Sequence, residues 1–270
     1  MSKNYIVISP FADLLLKPSQ TSELADQALY GMKLNIVERQ DDWCLVEMEY
    51  KYKGWMHRSD ISKKSPTDWM DKCNAYVQSP FAEIMPEASY RGRPLLNIPK
   101  GSRLFLMEDD CDIQGWCKVQ LHDGRQGHCR SEWIRPYKSL PNPKDESALR
   151  QRLVSDALSY MGTHYKWGGK SPAGIDCSGL TFMAYWINGI SIYRDAVIQP
   201  DYLVHEISEA TAKPGDLLYF PGHIALYLGK GQYVHSTGSQ GGVVQNSLIE
   251  GSNNFHESLR KDLYAWGSIF

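Results

Sequence analysis

The sequence predicts a β-rich chain folded into more than one domain, and three observations carry that expectation. At 270 residues the chain is longer than one small hydrophobic core requires. Eight Trp and 16 Tyr are generous for this length, whereas stretches with helical periodicity are few. The first half also repeats itself. Hydrophobic residues make up 42% and charged residues 22%, the balance of a soluble globular protein rather than a disordered one. With 29 Lys plus Arg against 31 Asp plus Glu, the formal net charge is -2, which argues against nucleic acid as a partner. No apolar run approaches the roughly 20 residues of a membrane span, so no membrane association is expected.

The repeat is read at two offsets. Ser9-Pro-Phe-Ala-Asp13 recurs as Ser79-Pro-Phe-Ala-Glu83, and Gly31-Met-Lys-Leu34 as Gly101-Ser-Arg-Leu104, both 70 residues on. Trp43-Cys-Leu-Val46 matches Trp116-Cys-Lys-Val119, Gly54-Trp-Met matches Gly127-His-Cys, and Ile61 matches Ile134, all at 73. A longer loop around Asp109–Gln114 in the second copy accounts for the slip. Within each copy, short segments such as Leu34–Val37, Trp43–Val46 and Trp55-Met read as strands between polar turns. Trp43, Trp116, Cys44 and Cys117 read as core residues. This pattern is similar to the bacterial SH3-like domain, and two all-β barrels are expected, over residues 1–64 and 65–138.

The six cysteines, Cys44, Cys73, Cys111, Cys117, Cys129 and Cys177, include no Cys-x-x-Cys pair. They read as reduced thiols. After Met1-Ser-Lys-Asn, only Tyr5-Ile-Val-Ile8 is apolar, shorter than the about 7–15 residues of a signal peptide, so a cytoplasmic protein is expected.

Pro136–Pro143 reads as a linker, because its prolines discourage regular structure. Beyond it the texture changes. Leu149, Leu153, Val154, Ala157 and Leu158 recur at helical spacing, giving a helix over Glu146–Tyr160 ended by Gly162. A second helix starts at Cys177 and stops at Asn188-Gly189. Cys177 thus sits at a helix N-terminus, where free N–H groups favour a thiolate, although a lone cysteine is more often an inert core residue.

Downstream, Leu217–Phe220, His223–Leu228 and Gln232–Ser236 read as strands, the last two joined by a turn at Gly229-Lys-Gly231. Centring that turn on Lys230 places Ala225 opposite His235, with His223 its diagonal neighbour on the same face. A cysteine with two histidines suits nucleophilic catalysis, His223 as base and His235 orienting it.

Tyr165-Lys-Trp-Gly-Gly169, Asp176-Cys-Ser-Gly-Leu180, Pro214-Gly-Asp216, His223-Ile-Ala-Leu-Tyr-Leu-Gly229 and Val234-His-Ser236 together resemble the NlpC family of papain-like cysteine peptidases. The resemblance implies an α+β papain-like (NlpC-type) catalytic domain over 139–270, preceded by the two SH3-like barrels. It carries over Cys177 as nucleophile, His223 as base, His235 as third polar residue and Tyr165 as oxyanion donor. The whole arrangement is similar to bacterial γ-D-glutamyl-L-diamino acid endopeptidases. The implied substrate is a murein tripeptide or tetrapeptide with a free N-terminal L-Ala and Lys or diaminopimelate third, cleaved in cell-wall peptide recycling. Asp176 and Ser178 match substrate-contacting positions, and Glu23 and Tyr52 are candidates for further contacts to the amine. Arg194 and Asp195 fall in a segment resembling the family's Arg-Asp-Ser stretch. There Arg194 is expected to pair a substrate carboxylate, although Ala196 replaces the serine of some relatives.

No cofactor and no metal are expected, and the chain is expected to be a monomer. Zinc binding by Cys177, His223 and His235 is a rival in ligand type only, since no metal motif places them. An amidase or acyltransferase on the same core, and a non-catalytic wall-binding protein, are the other readings.

Overall fold

The computed structural model describes residues 5–107, 111, 114–142 and 144–270; most of the loop expected around Asp109–Gln114 lies outside them. Two compact units make up the chain, Met1–Leu140 and Pro141–Phe270.

In the first unit, strands β1 (Tyr5–Ile6), β2 (Phe11–Leu15), β3 (Leu24–Leu29), β4 (Lys33–Gln40), β5 (Trp43–Met48) and β6 (Lys53–His57) form one antiparallel sheet. Its order is β1-β4-β5-β6-β2-β3. Alternation makes the strands: β5 buries Cys44, Val46 and Met48 and turns the residues between them outward. After helix α1 (Thr67–Lys72) come β7 (Ala75–Val77), β8 (Phe81–Ile84), β9 (Leu96–Pro99), β10 (Arg103–Leu106), β11 (Trp116–Gln120), β12 (Gln126–Arg130) and β13 (Ile134–Pro136). Five of them pair as β12-β11-β10-β7-β13, and β8 pairs with β9.

The sequence repeat is a repeat of strand register. Tyr5 faces Leu34 in the first copy and Ala75 faces Leu104 in the second. Cys44 pairs with Met56, and Cys117 with Cys129. Leu15 pairs with Trp55, and Met85 with His128. Every equivalent position is displaced by 70 or 73 residues, the offsets read from sequence. Among the described residues neither sheet closes into the barrel expected. Pro99 ends β9, and a proline has no N–H to extend a ladder.

The two copies share a core. Ile6 and Tyr30 of the first are buried in one cluster with Trp69, Val77, Leu104 and Cys117 of the second. The Tyr30 hydroxyl bonds His122 Nδ1 at 3.0 Å, and Arg103 Nη1 pairs with Glu49 at 2.8 Å. Gly31, at φ 81°, permits this approach, since a Cβ there would lie 2.9 Å from that of Arg103.

Three expectations change here. Trp43 is only half-buried and lies edge-on to His57, whereas Trp116 is buried. Cys111 and Cys117, expected as free thiols, form a disulfide, their Cα atoms 4.2 Å apart. The segment expected as linker begins inside structure: Pro136 pairs with Ala75 at the end of β13, and Tyr137–Ser139 makes a 3₁₀ turn.

In the second unit, α2 (Glu146–Leu158) starts at Asp145, whose carboxylate accepts the Ala148 N–H, and buries Leu149, Leu153 and Ala157. The short hairpin β14 (Lys170–Ser171) and β15 (Gly174–Ile175) leads into α3 (Cys177–Trp186), every residue of which is buried. The sheet comprises β16 (His205–Ile207), β17 (Leu217–Phe220), β18 (His223–Gly229), β19 (Gln232–Thr237), β20 (Gly242–Ser247) and, after helix α4 (Glu257–Asp262), β21 (Ala265–Ser268). Its order is β16-β21-β17-β18-β19-β20. Helix α3 packs against α2, β18 and β19. Among the described residues no helix is long and apolar enough to cross a membrane.

Candidate active site

The site is assembled at the first turn of α3. Asp176 is its N-cap, accepting the Gly179 N–H at 2.6 Å. Gly179 is required there, because a Cβ would overlap the Gly169 carbonyl oxygen. Asp176 is also gripped by Arg194, whose Nη1 and Nη2 reach its two oxygens at 3.0 and 2.9 Å. Nη1 further donates to Ser178 Oγ at 2.6 Å. Arg194 is only 1% exposed. The structure thus sets Arg194 against Asp176 and Ser178. Asp195, next along, is half-buried and hydrogen-bonded to the Tyr193 phenol.

Cys177 is buried, and its sulfur accepts the backbone N–H groups of Ile224 and Ser178. The Ile224 contact places the thiol beside the start of β18, one residue from His223. Burial and then the Asp176 carboxylate push the thiol up to about 11, against the two N–H groups and Arg194. The expected thiolate-favouring effect of the helix N-terminus is therefore outweighed by desolvation.

At the turn Gly229 faces Gln232 rather than Gly231, and a register shift between Tyr227 and Gly229 restores the pairing expected further along β18 and β19. Leu226 faces Val234, which sets Ala225 against His235. The diagonal pair meets: His223 Nε2 lies 2.7 Å from His235 Nδ1. Burial pushes His223 down to about 3, with His235 adding to the effect, and pushes His235 down to about 4. Both rings rest neutral. His235 Nε2 in turn lies 2.8 Å from Asn246 Oδ1 on β20, so both of its ring nitrogens are hydrogen-bonded.

Tyr165 pairs with Ile175 through a parallel bridge. Its phenol is half-buried and raised to about 12 by burial, then by the charges of Cys177 and Asp176, which places it at the same site. Glu23 and Tyr52 lie in the first unit, Glu23 exposed before β3 and Tyr52 half-buried between β5 and β6.

The structure thus brings together Cys177, His223, His235, Tyr165, Asp176, Ser178 and Arg194. Sequence reasoning missed Asn246 and His256. Asn246 faces Tyr233 in the β19–β20 ladder, a register that a polar strand without a tight turn signal does not disclose. His256, the N-cap of α4, lies close enough to both site histidines to oppose their protonation.

Residues 162–258 match the NlpC/P60 family, and residues 14–61 match the bacterial dipeptidyl-peptidase Sh3 domain. Dipeptidyl-peptidase 6 of Lysinibacillus sphaericus is 39% identical over 271 residues, covering 99% of this chain and 100% of the relative. The gamma-D-glutamyl-L-lysine dipeptidyl-peptidase of Bacillus cereus is 28% identical, over 81% of this chain and 68% of the relative. The crystal structure of an NlpC/P60 family protein from Bacillus cereus superposes with a TM-score of 0.78 at 22% identity, covering 97% of this chain and 98% of that one, and so shares its fold.

The chain belongs to the NlpC/P60 family and is a cysteine peptidase. Its fold is papain-like, with an N-terminal SH3 domain.

Proposed function

We propose that the chain hydrolyses the bond between γ-D-Glu and L-Lys or meso-diaminopimelate in murein peptides bearing a free N-terminal L-Ala, releasing L-Ala-γ-D-Glu. The name of the Bacillus cereus relative, a gamma-D-glutamyl-L-lysine dipeptidyl-peptidase, supports the bond. The observation that carries the reading is a buried carboxylate, Asp176, next to the thiol and 2.9 Å from Arg194 Nη2. A carboxylate there is a receptor for an ammonium group, for which burial away from water demands a charged partner.

In the reaction His223 takes the Cys177 proton as the sulfur attacks the γ-carbonyl carbon. The Tyr165 phenol donates to the oxyanion that develops. His223 then protonates the leaving amine, the C–N bond breaks, and a thioester remains. Water, deprotonated by the same imidazole, hydrolyses it and restores the thiol. His235 orients His223, Ser178 and Asp195 line the substrate, and the residues of 1–64 and 65–138 form two SH3-like domains. Glu23 and Tyr52 contribute to amine recognition. The setting is cytoplasmic recycling of murein fragments.

Two peptides test the substrate. L-Ala-γ-D-Glu-L-Lys is cut between Glu and Lys, and its N-acetylated form is not; equal cleavage of both would sink the amine requirement. Cys177→Ala abolishes turnover while the circular dichroism spectrum is retained, and substantial residual activity would remove Cys177 as nucleophile.

A further inference from the structure

The proton arrangement of the histidine pair is fixed from outside it. Asn246 is 5% exposed and reaches the pair through one atom, Oδ1, at 2.8 Å from His235 Nε2. Its other amide atom, Nδ2, donates to the main-chain carbonyl of Asn254 at 3.0 Å. A carbonyl only accepts, so it can be faced only by the NH₂ end of the amide. That carbonyl is itself held, taking the Ser247 N–H at 2.9 Å. The Asn254 side chain anchors the segment further, donating to Gln232 Oε1 at 2.9 Å.

The consequence runs inward along one line of hydrogen bonds. With its NH₂ committed to Asn254, Asn246 offers His235 an oxygen, so His235 Nε2 carries the proton. Neutral His235 then has a lone pair on Nδ1, and His223 Nε2–H donates into it. His223 is left with its lone pair on Nδ1, the nitrogen able to accept a proton. The reverse arrangement would require the Asn246 amide to flip and set its oxygen against the Asn254 carbonyl, an unpartnered pair of acceptors in a buried site.

We infer that Asn246 is a positioning residue, which, oriented by the Asn254 carbonyl, holds the His223–His235 pair in the single tautomer that leaves His223 Nδ1 free to act as base. The inference rests on Cys177 and His223 acting as nucleophile and base. Besides the two rings, the titratable groups around the pair include His256, from the segment preceding α4, Tyr233 on β19, whose ring centroid lies 5.1 Å from that of His235, and Cys177, whose sulfur takes the Ile224 N–H next to His223.

The test reads the thiol rather than the substrate, so it stands apart from the identity of the peptide. Alkylation of Cys177 by iodoacetamide, followed by mass spectrometry across pH, is compared for the parent, Asn246→Leu and Asn246→Asp. Leu removes the acceptor at similar volume; its rate at neutral pH falls by about 100-fold or more, the scale of a wrongly tautomerised base. Asp keeps an acceptor, so its rate stays within about tenfold of the parent. Its acid limb moves to higher pH, because a carboxylate beside an imidazole favours the protonated ring. A parent-like rate and profile in Asn246→Leu, or a loss in Asn246→Asp as deep as in Leu, would overturn the inference. Should the Leu variant not fold, ring ¹⁵N spectra of the parent decide: His235 protonated at Nε2 supports the assignment, and His235 protonated at Nδ1 overturns it. Turnover lost in Asn246→Leu with Cys177 alkylation unchanged would likewise assign the defect elsewhere than the tautomer.

Discussion

Asp176 serves several groups with one carboxylate: it accepts the Gly179 N–H, takes the Arg194 fork and receives the Ser178 hydroxyl. Its neighbours His223 and His235 carry a cost of a different kind. Both are neutral in the fold because burial disfavours their charged forms. An unfolded histidine titrates near about 6.5. Their folded values lie below that, so the stability tied to the neutral rings is complete above the unfolded value and is lost as the pH falls towards the folded ones. Urea unfolding midpoints should therefore decline on going from neutral to mildly acidic pH, with His223→Gln declining less steeply. An identical slope in that variant would exclude the ring as a source of the linkage.

At the scale of elements, the first turn of α3 is the joint on which the site depends. Substituting Gly179 by Ala drives a methyl into the Gly169 carbonyl, and such overpacking costs about 1–3 kcal/mol. Because the same turn carries Cys177, the variant should lose denaturation midpoint and thiol reactivity together. A parent-like midpoint would mean the loop yields more readily than its contacts imply. The sequence was informative about these elements to differing degrees. The start of α3 at Cys177 and the strands bearing His223 and His235 were legible, because helical spacing, a glycine turn and a two-residue period are local signals. The inward turn of Arg194 was not, since a motif records which residues are present and not which way a long side chain points. Nor was Asn246, whose role depends on the pairing of β19 with β20 and on a main-chain carbonyl eight residues further on.

At the scale of the molecule, the repeat was legible down to strand register, whereas the fusion of its copies was not. Tyr30, fully buried, belongs to the first copy by sequence but packs edge-on to Trp69 and bonds His122 of the second. Contacts of this kind pass between copies and leave no trace in either repeat alone. Tyr30→Phe should cost about 1–3 kcal/mol, because the hydroxyl bonds His122 Nδ1 and also accepts the His122 backbone N–H, and Tyr30→Ala about 3–5 kcal/mol. Hydrogen exchange should show both copies losing protection in the Ala variant. A loss confined to the first copy would show that they unfold separately.

The carboxylate that holds Arg194 also burdens the nucleophile, since its charge is one of the two influences raising the Cys177 thiol. An ammonium ion seated on Asp176 would offset that charge. The incoming peptide would then lighten the proton on the sulfur that is to attack it, and discrimination against a blocked amine would be felt in kcat as well as in KM. Recognition and activation would be a single electrostatic event, with the substrate supplying part of its own catalyst.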